Sequence, residues 1–217
     1  MIRRSIFCGI LRTGSFGKTR LEAFSDGVFA IVVTLLIIEI KVPEVKGPDI
    51  SSQLSQALIH MFPKFLSYAM SFAYIAIYWV NHHLLFHVIK KVDRGLFWFN
   101  SFFLMVLAFI PFPTALIGEY PQEHVAVILY GVIMFLTALS FVLIKWYAIN
   151  YAKLGDPKME TDIFKDSLFK ITAGPLCYLL AIIFAFINPW ISIGIYLIIP
   201  VIYFIPTEVE RRLGINE

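Results

Sequence analysis

Six apolar runs separated by short polar connections dominate the chain and dictate its surroundings. They are Phe24 to Ile40, Phe65 to Phe86, Leu96 to Ile117, Val125 to Ile149, Leu168 to Ile187 and Trp190 to Ile205. A helix crossing roughly 30 Å of hydrocarbon needs about 20 mostly apolar residues. All six runs qualify, although two are short, and the last two are split by the turn signal Asn188-Pro189. Only 15% of the 217 residues are charged and 59% are hydrophobic, whereas soluble domains carry about 25% charged residues. Disorder, collagen-like repeats and a disulfide-rich secreted fold are excluded by the same balance. Cys8 and Cys177 are the only cysteines, too few for a disulfide framework or a thiolate metal cage. The expectation is an all-α integral membrane protein with six transmembrane helices.

Orientation follows from the basic residues, which mark cytoplasmic loops. Fifteen of the eighteen lie before the first run, in the loop between the second and third, around the long connection after the fourth, and in the tail. Lys41, Lys46 and Lys64 alone fall on the other side. Both termini are therefore expected in the cytoplasm of a multi-pass protein of the cell (plasma) membrane. Residues 1–23 would form a cytoplasmic amino-terminal segment, 24–206 a six-helix domain, and 207–217 a cytoplasmic tail. The apolar patch from Ser5 to Leu11 is too short to span and has no clear cleavage site after it. It reads as a frayed or interfacial segment rather than a signal peptide. Basic residues are spread thinly among apolar runs, so no nucleic-acid partner is expected.

The first run opens with Arg20-Leu-Glu-Ala-Phe24-Ser25-Asp26-Gly27. A charged pair at the mouth of a membrane helix needs a reason. Ser25 fits a helix N-cap, with Asp26 in the first turn where the helix dipole favours an anion. The alternative is that Arg20 and Asp26 join a polar network tying this helix to its neighbours. At about 100° per residue, Phe24, Ile31, Leu35 and Ile38 share one stripe, with Thr34 and Gly27 beside it and Asp26 on the other side. Such a stripe faces lipid, packs in a core, or lines a pore as aliphatic rings that control wetting. Gly27, Ala30 and Thr34 form a small-residue strip that lets helices approach closely. Pattern alone leaves these readings open.

The second run ends in Trp79-Val-Asn81-His82-His83-Leu-Leu-Phe86-His87. Membrane di-iron enzymes need several histidine clusters, and only His60 and His124 remain elsewhere. No metal site is expected, and histidines at a helix end more often pair with a carboxylate or the backbone. Asn100, early in the third run, is a candidate partner for the histidines or for Arg20. Pro111 and Pro113 remove backbone donors and should bend or break that helix near its far end. No nucleophile–histidine–acid set, phosphate loop or dinucleotide motif occurs, so the chain is not read as an enzyme and no catalytic residue or cofactor is assigned. The Thr-Val-Gly-Tyr-Gly filter of many potassium channels is also missing.

Arg20-x-x-x-Phe24-Ser25-Asp26-Gly27, followed by Trp79-x-x-His82-His83, Asn100, Pro111-Phe-Pro-Thr114 and Gly118-Glu119-Tyr120, resembles the transmembrane protein 175 family of potassium channels. The likeness covers roughly the first 120 residues; beyond them only number and hydropathy of runs agree. That family has six spans per repeat. Its two-repeat animal members dimerise, and its single-repeat prokaryotic members assemble as tetramers. The resemblance therefore implies a homotetramer with four first helices around a central pore and potassium as the permeant ion. It also implies pore rings at Ile31, Leu35 and Ile38, with Thr34 as the polar position beside them. Arg20, Phe24, Ser25, Asp26, Trp79, His82, His83 and Asn100 would form the structural network at the cytoplasmic ends.

An aliphatic ring offers no ligands, so an ion passes partly dehydrated or waits for the ring to wet. Potassium holds its water less tightly than sodium and meets the smaller barrier. The expected function is a potassium-preferring, homotetrameric channel with a hydrophobic gate. No run carries an arginine ladder, so voltage sensing of the usual kind has no carrier. The alternative is a proton channel or secondary transporter using the histidine-rich cytoplasmic end.

Overall fold

The computed structural model describes residues 17–46, 49–155 and 174–203. The apolar patch from Ser5 to Leu11 and the start of the fifth run lie outside them. Among the described residues the protein is built of helices, and its one β feature is an isolated bridge between Ile89 and Gly155. The helices are α1 (Lys18–Ile38), α2 (Ile50–His60), α3 (Phe62–Val88), α4 (Arg94–Ala108), α5 (Pro111–Glu119), α6 (His124–Trp146), α7 (Gly174–Ala185) and α8 (Pro189–Tyr203). A π-helical turn, Tyr147–Tyr151, continues α6.

Lys18–Ile38, Arg94–Glu119 and His124–Tyr151 are long and apolar enough to cross a membrane. Gly174–Ala185 and Pro189–Tyr203 are apolar but shorter. At 27 residues α3 has the length to cross, but serines, tyrosines, Asn81 and three histidines dilute its apolar run.

The third run is broken where its prolines were expected to act. α4 stops at Ala108, and α5 begins at Pro111 after a turn at Phe109 and Ile110. Pro111 and Pro113 have no amide hydrogen to continue the α4 ladder. The carbonyls that they leave, Leu107 and Phe109, are taken instead by the Ile110 and Phe112 amides, at 3.0 and 3.2 Å. α2 was not foreseen. Its Asp49 side chain accepts from the Ser52 amide, capping a helix that leads directly into α3.

α3 is central, packing against α1, α5 and α8, while α4 packs against α1 and α6. Its buried face carries Ser67, Ser71, Tyr74, Tyr78 and His82 at spacings of three and four, and Phe72, Trp79 and Val80 are exposed. Lipid tails are as apolar as leucine, so helices in a bilayer associate through close packing and interhelical hydrogen bonds. Polar groups accordingly turn inward. The Thr114 hydroxyl is committed to Ile110, so Ser71 donates to Thr114 at 2.8 Å and Tyr130 donates to Ser71 at 3.0 Å. That chain joins α3, α5 and α6. Tyr74 donates to the Tyr196 carbonyl at 2.6 Å, fastening α8, and Ser192 donates to the Ala181 carbonyl at 2.7 Å, joining α8 to α7.

Candidate pore helix and its anchoring network

α1 has two unlike faces. Leu21, Ser25, Phe29, Val32 and Leu36 recur at helical spacing and are buried against α3, α4 and α5. On the other side Phe24, Ile31, Leu35 and Ile38 are 52%, 60%, 40% and 66% exposed. Asp26, Gly27, Ala30 and Thr34 are exposed as well. The aliphatic stripe is therefore not part of this chain's own core. A methyl group added at Gly27 would touch nothing within 4 Å. Thr34 turns its hydroxyl hydrogen back to the Ile31 carbonyl at 2.8 Å, leaving its oxygen lone pairs on the outward face.

The buried face is fastened by hydrogen bonds at the end of α1 nearest the amino terminus. Ser25 does not cap the helix as expected; α1 starts at Lys18 with Gly17 at its N-cap. That places Ser25 in the interior, where a serine hydroxyl bonds the carbonyl four residues back. Ser25 Oγ donates to the Leu21 carbonyl at 2.9 Å and accepts from Asn100 Nδ2 at 2.9 Å. The Asn100 carbonyl oxygen takes the Nε2 hydrogen of His82 at 2.8 Å, which fixes that tautomer. Each donor in this buried relay has one acceptor, so α1, α3 and α4 are joined through three side chains. Aromatic rings enclose it: His82 stacks on Phe86 at 4.3 Å and meets the Phe29 ring edge-on at 5.6 Å.

Asp26 uses a separate tie. Its carboxylate accepts from Trp79 Nε1 at 3.0 Å in an exposed position, and the Trp79 indole stacks on His83 at 6.1 Å. The expected network is thus two pieces: the Ser25–Asn100–His82 relay inside, and Asp26 with Trp79 and His83 outside. Arg20 joins neither. It stands exposed with no side-chain partner among the described residues. Phe24 is likewise exposed on the aliphatic side. His82 is buried while His83 and His87 point outward, and among the described residues no three histidine, cysteine or acidic side chains converge as a metal site.

The second polar relay, Ser71–Thr114–Tyr130, was missed from the sequence. Its signal was the recurrence of Ser67, Ser71, Tyr74, Tyr78 and His82 along one face of an otherwise apolar helix.

The sequence profile of the endosomal/lysosomal potassium channel TMEM175 matches residues 20–111, which hold α1 from Arg20 onward and both pieces of its network. A potassium channel of Streptomyces collinus is 38% identical over 188 residues, covering 85% of this chain and 90% of the relative. The chain belongs to the TMEM175 family. A crystal structure of a lysosomal potassium-selective channel TMEM175 homolog from Chamaesiphon minutus superposes with a TM-score of 0.75 at 36% identity, covering 86% of this chain and 96% of that one. The human endosomal/lysosomal proton channel TMEM175 is 33% identical over 137 residues, 59% of this chain and 27% of the human protein. The TMEM175 relatives are channels, a class distinct from enzymes, and the apolar helices described above are those of a membrane protein.

Proposed function

We propose that the protein is a potassium-preferring cation channel of the cell membrane, assembled as a homotetramer with α1 lining a central pore. The observation that carries this reading is the division of α1 into a hydrogen-bonded inner face and an unfilled aliphatic outer face. In a tetramer the outer faces of four α1 helices would meet around the axis, with Ile31, Leu35 and Ile38 as successive rings. Six spans with both termini in the cytoplasm fit the loop charges, fifteen basic residues against three. The relatives from Streptomyces collinus and Chamaesiphon minutus carry names or titles that describe potassium channels.

Rings of this kind act by dehydration and dewetting rather than by coordination. Thr34 is the polar position beside them, and its outward lone pairs would ease the partial loss of water by a passing cation. Potassium, the more weakly hydrated ion, would gain most. The preference should be modest beside that of a carbonyl-lined filter.

The naming of the human relative as a proton channel supports a second reading, in which protons are the carried ion. Reversal potential separates the two. With potassium on one side of a proteoliposome or planar bilayer and sodium on the other, a shift toward the potassium equilibrium potential that ignores a pH gradient supports the channel proposed here. A reversal potential that follows the pH gradient overturns it in favour of protons.

A further inference from the structure

At the α3–α4 end of the bundle, two connections are held side by side. The Lys90 and Lys91 amides both donate to the Leu154 carbonyl, at 2.9 and 3.4 Å, and Ile89 forms an antiparallel bridge with Gly155. The π-turn fixes the second connection: the Ala152 amide donates to Tyr147 and the Leu154 amide to Ala148, each at 2.8 Å. The Lys91 amide thus bonds the carbonyl of the residue that follows Lys153, which makes the two lysines close neighbours. Like charges held close together repel, yet no acid pairs with them among the described residues. Asp93 is buried and accepts from the Leu96 amide and the Tyr147 hydroxyl, each at 2.8 Å. Lys91, Arg94 and Lys153 are exposed and have no ion-pair partner among the described residues; Asp156 follows closely in sequence and lies outside them.

Arg94 also heads a stripe on α4. Trp98, Phe102 and Met105 follow it at four, eight and eleven positions, all exposed. At the end of the neighbouring α6, exposed Trp146 stacks on Tyr151 of the π-turn at 6.0 Å. Tryptophans at the end of an outward apolar stripe mark the headgroup level of a bilayer. Arg94 lies one turn beyond Trp98, on the side away from Phe102 and Met105.

We propose that Lys91, Arg94 and Lys153 hold the headgroup phosphate of an anionic phospholipid, whose acyl chains run along Trp98, Phe102 and Met105. Basic pockets between membrane helices recognise anionic headgroups in this way. A lipid is favoured over free phosphate because the charged cluster is continuous with an exposed apolar stripe. The site is separate from α1 and does not depend on which ion the pore carries.

The test uses the full chain in neutral detergent, stripped of lipid and titrated with phosphatidylglycerol. Bound lipid is counted by native mass spectrometry and the thermal midpoint is followed. Phosphatidylglycerol should bind and raise the midpoint, and phosphatidylcholine should do neither. Lys91→Gln, Arg94→Gln and Lys153→Gln should each weaken binding about fivefold, the equivalent of about 1 kcal/mol for a basic residue near an anionic surface. Lys153→Arg should restore binding, and Lys41→Gln should leave it unchanged. Undiminished phosphatidylglycerol binding in the three Gln variants would overturn the proposal. So would an equal rise in midpoint from phosphatidylcholine, or from glycerol phosphate at the same concentration. Three separate single variants and the arginine replacement keep the result readable should any one Gln variant fail to fold.

Discussion

Asn100 donates its side-chain amide to the Ser25 hydroxyl at 2.9 Å, although 75 positions separate the two residues. The same amide group accepts from His82, so Asn100 is the junction of α1, α3 and α4. Asn100→Leu would leave a buried imidazole donor without its acceptor and Ser25 without its donor. Interhelical hydrogen bonds in membranes average about 0.6 kcal/mol and reach about 1.7 kcal/mol. Loss of both, with desolvated groups left behind, should cost on the order of 2 kcal/mol. Ser25→Ala removes a single link and should cost less. Thermal unfolding in detergent, followed by tryptophan fluorescence, should rank Asn100→Leu below Ser25→Ala and both below the parent protein.

Asp26 and Trp79 should behave as one unit. Their hydrogen bond, 3.0 Å long and exposed, ties the outer side of α1 to α3 without entering the aliphatic stripe. Asp26→Ala and Trp79→Phe should each lower the stability of the assembled protein, and the double variant should fall little below either single one. The dissociation midpoint of the proposed oligomer on heating, read by size-exclusion chromatography, supplies the cycle. Selectivity should change far less than stability. A larger effect on reversal potential than on dissociation would move Asp26 into the ion path.

Two glycines on the helices should respond in opposite ways. A Cβ at Gly131 would collide with the Tyr196 hydroxyl and approach Ile182 to 2.7 Å. Tyr196 Oη is committed to the Val127 carbonyl at 3.2 Å, so Gly131→Ala should destabilise the fold by about 1–3 kcal/mol. Gly27→Ala meets open space within the subunit and removes a poor helix former. It should leave the subunit intact while weakening the oligomer, if small residues on α1 allow neighbouring subunits to approach. Unchanged oligomer stability in Gly27→Ala would place that strip away from subunit contacts.

The apolar runs announced the helices because hydrocarbon thickness sets a length that composition can meet or miss. The break near Pro111 was legible for a similar reason, since a missing amide hydrogen acts locally. Ser25 was misplaced because the capping signal assumes that a helix starts where apolar residues do; α1 begins earlier and carries Arg20 and Glu22 within it. Asn100 had two candidate partners in the sequence, and only the packing of α3 and α4 against the same helix, α1, selects His82. Ser71 and Tyr130 were invisible as a pair, because a polar residue in an apolar run names no partner until the helices are laid against each other. The aliphatic stripe lies between these cases. Periodicity defined it, but which neighbour it faces is a property of the assembly rather than of one chain.

Ile31 and Ile37 offer a direct test of that last point. Both are exposed, and about 120° of helical rotation separates them. If Ile31 forms a pore ring, Ile31→Asn places an amide where water and ions must pass. The ring then wets more readily, conductance rises, and sodium no longer meets the larger dehydration barrier. The reversal potential between potassium and sodium solutions should move toward zero. Ile37→Asn lies off the stripe and should leave the reversal potential near that of the parent protein. If Ile31 instead faces lipid, the amide is exposed to hydrocarbon, insertion and yield fall, and the channels that survive keep their selectivity. Recording both variants in the same bilayer system, with yield measured alongside, distinguishes a pore ring from a lipid-facing stripe by which quantity moves.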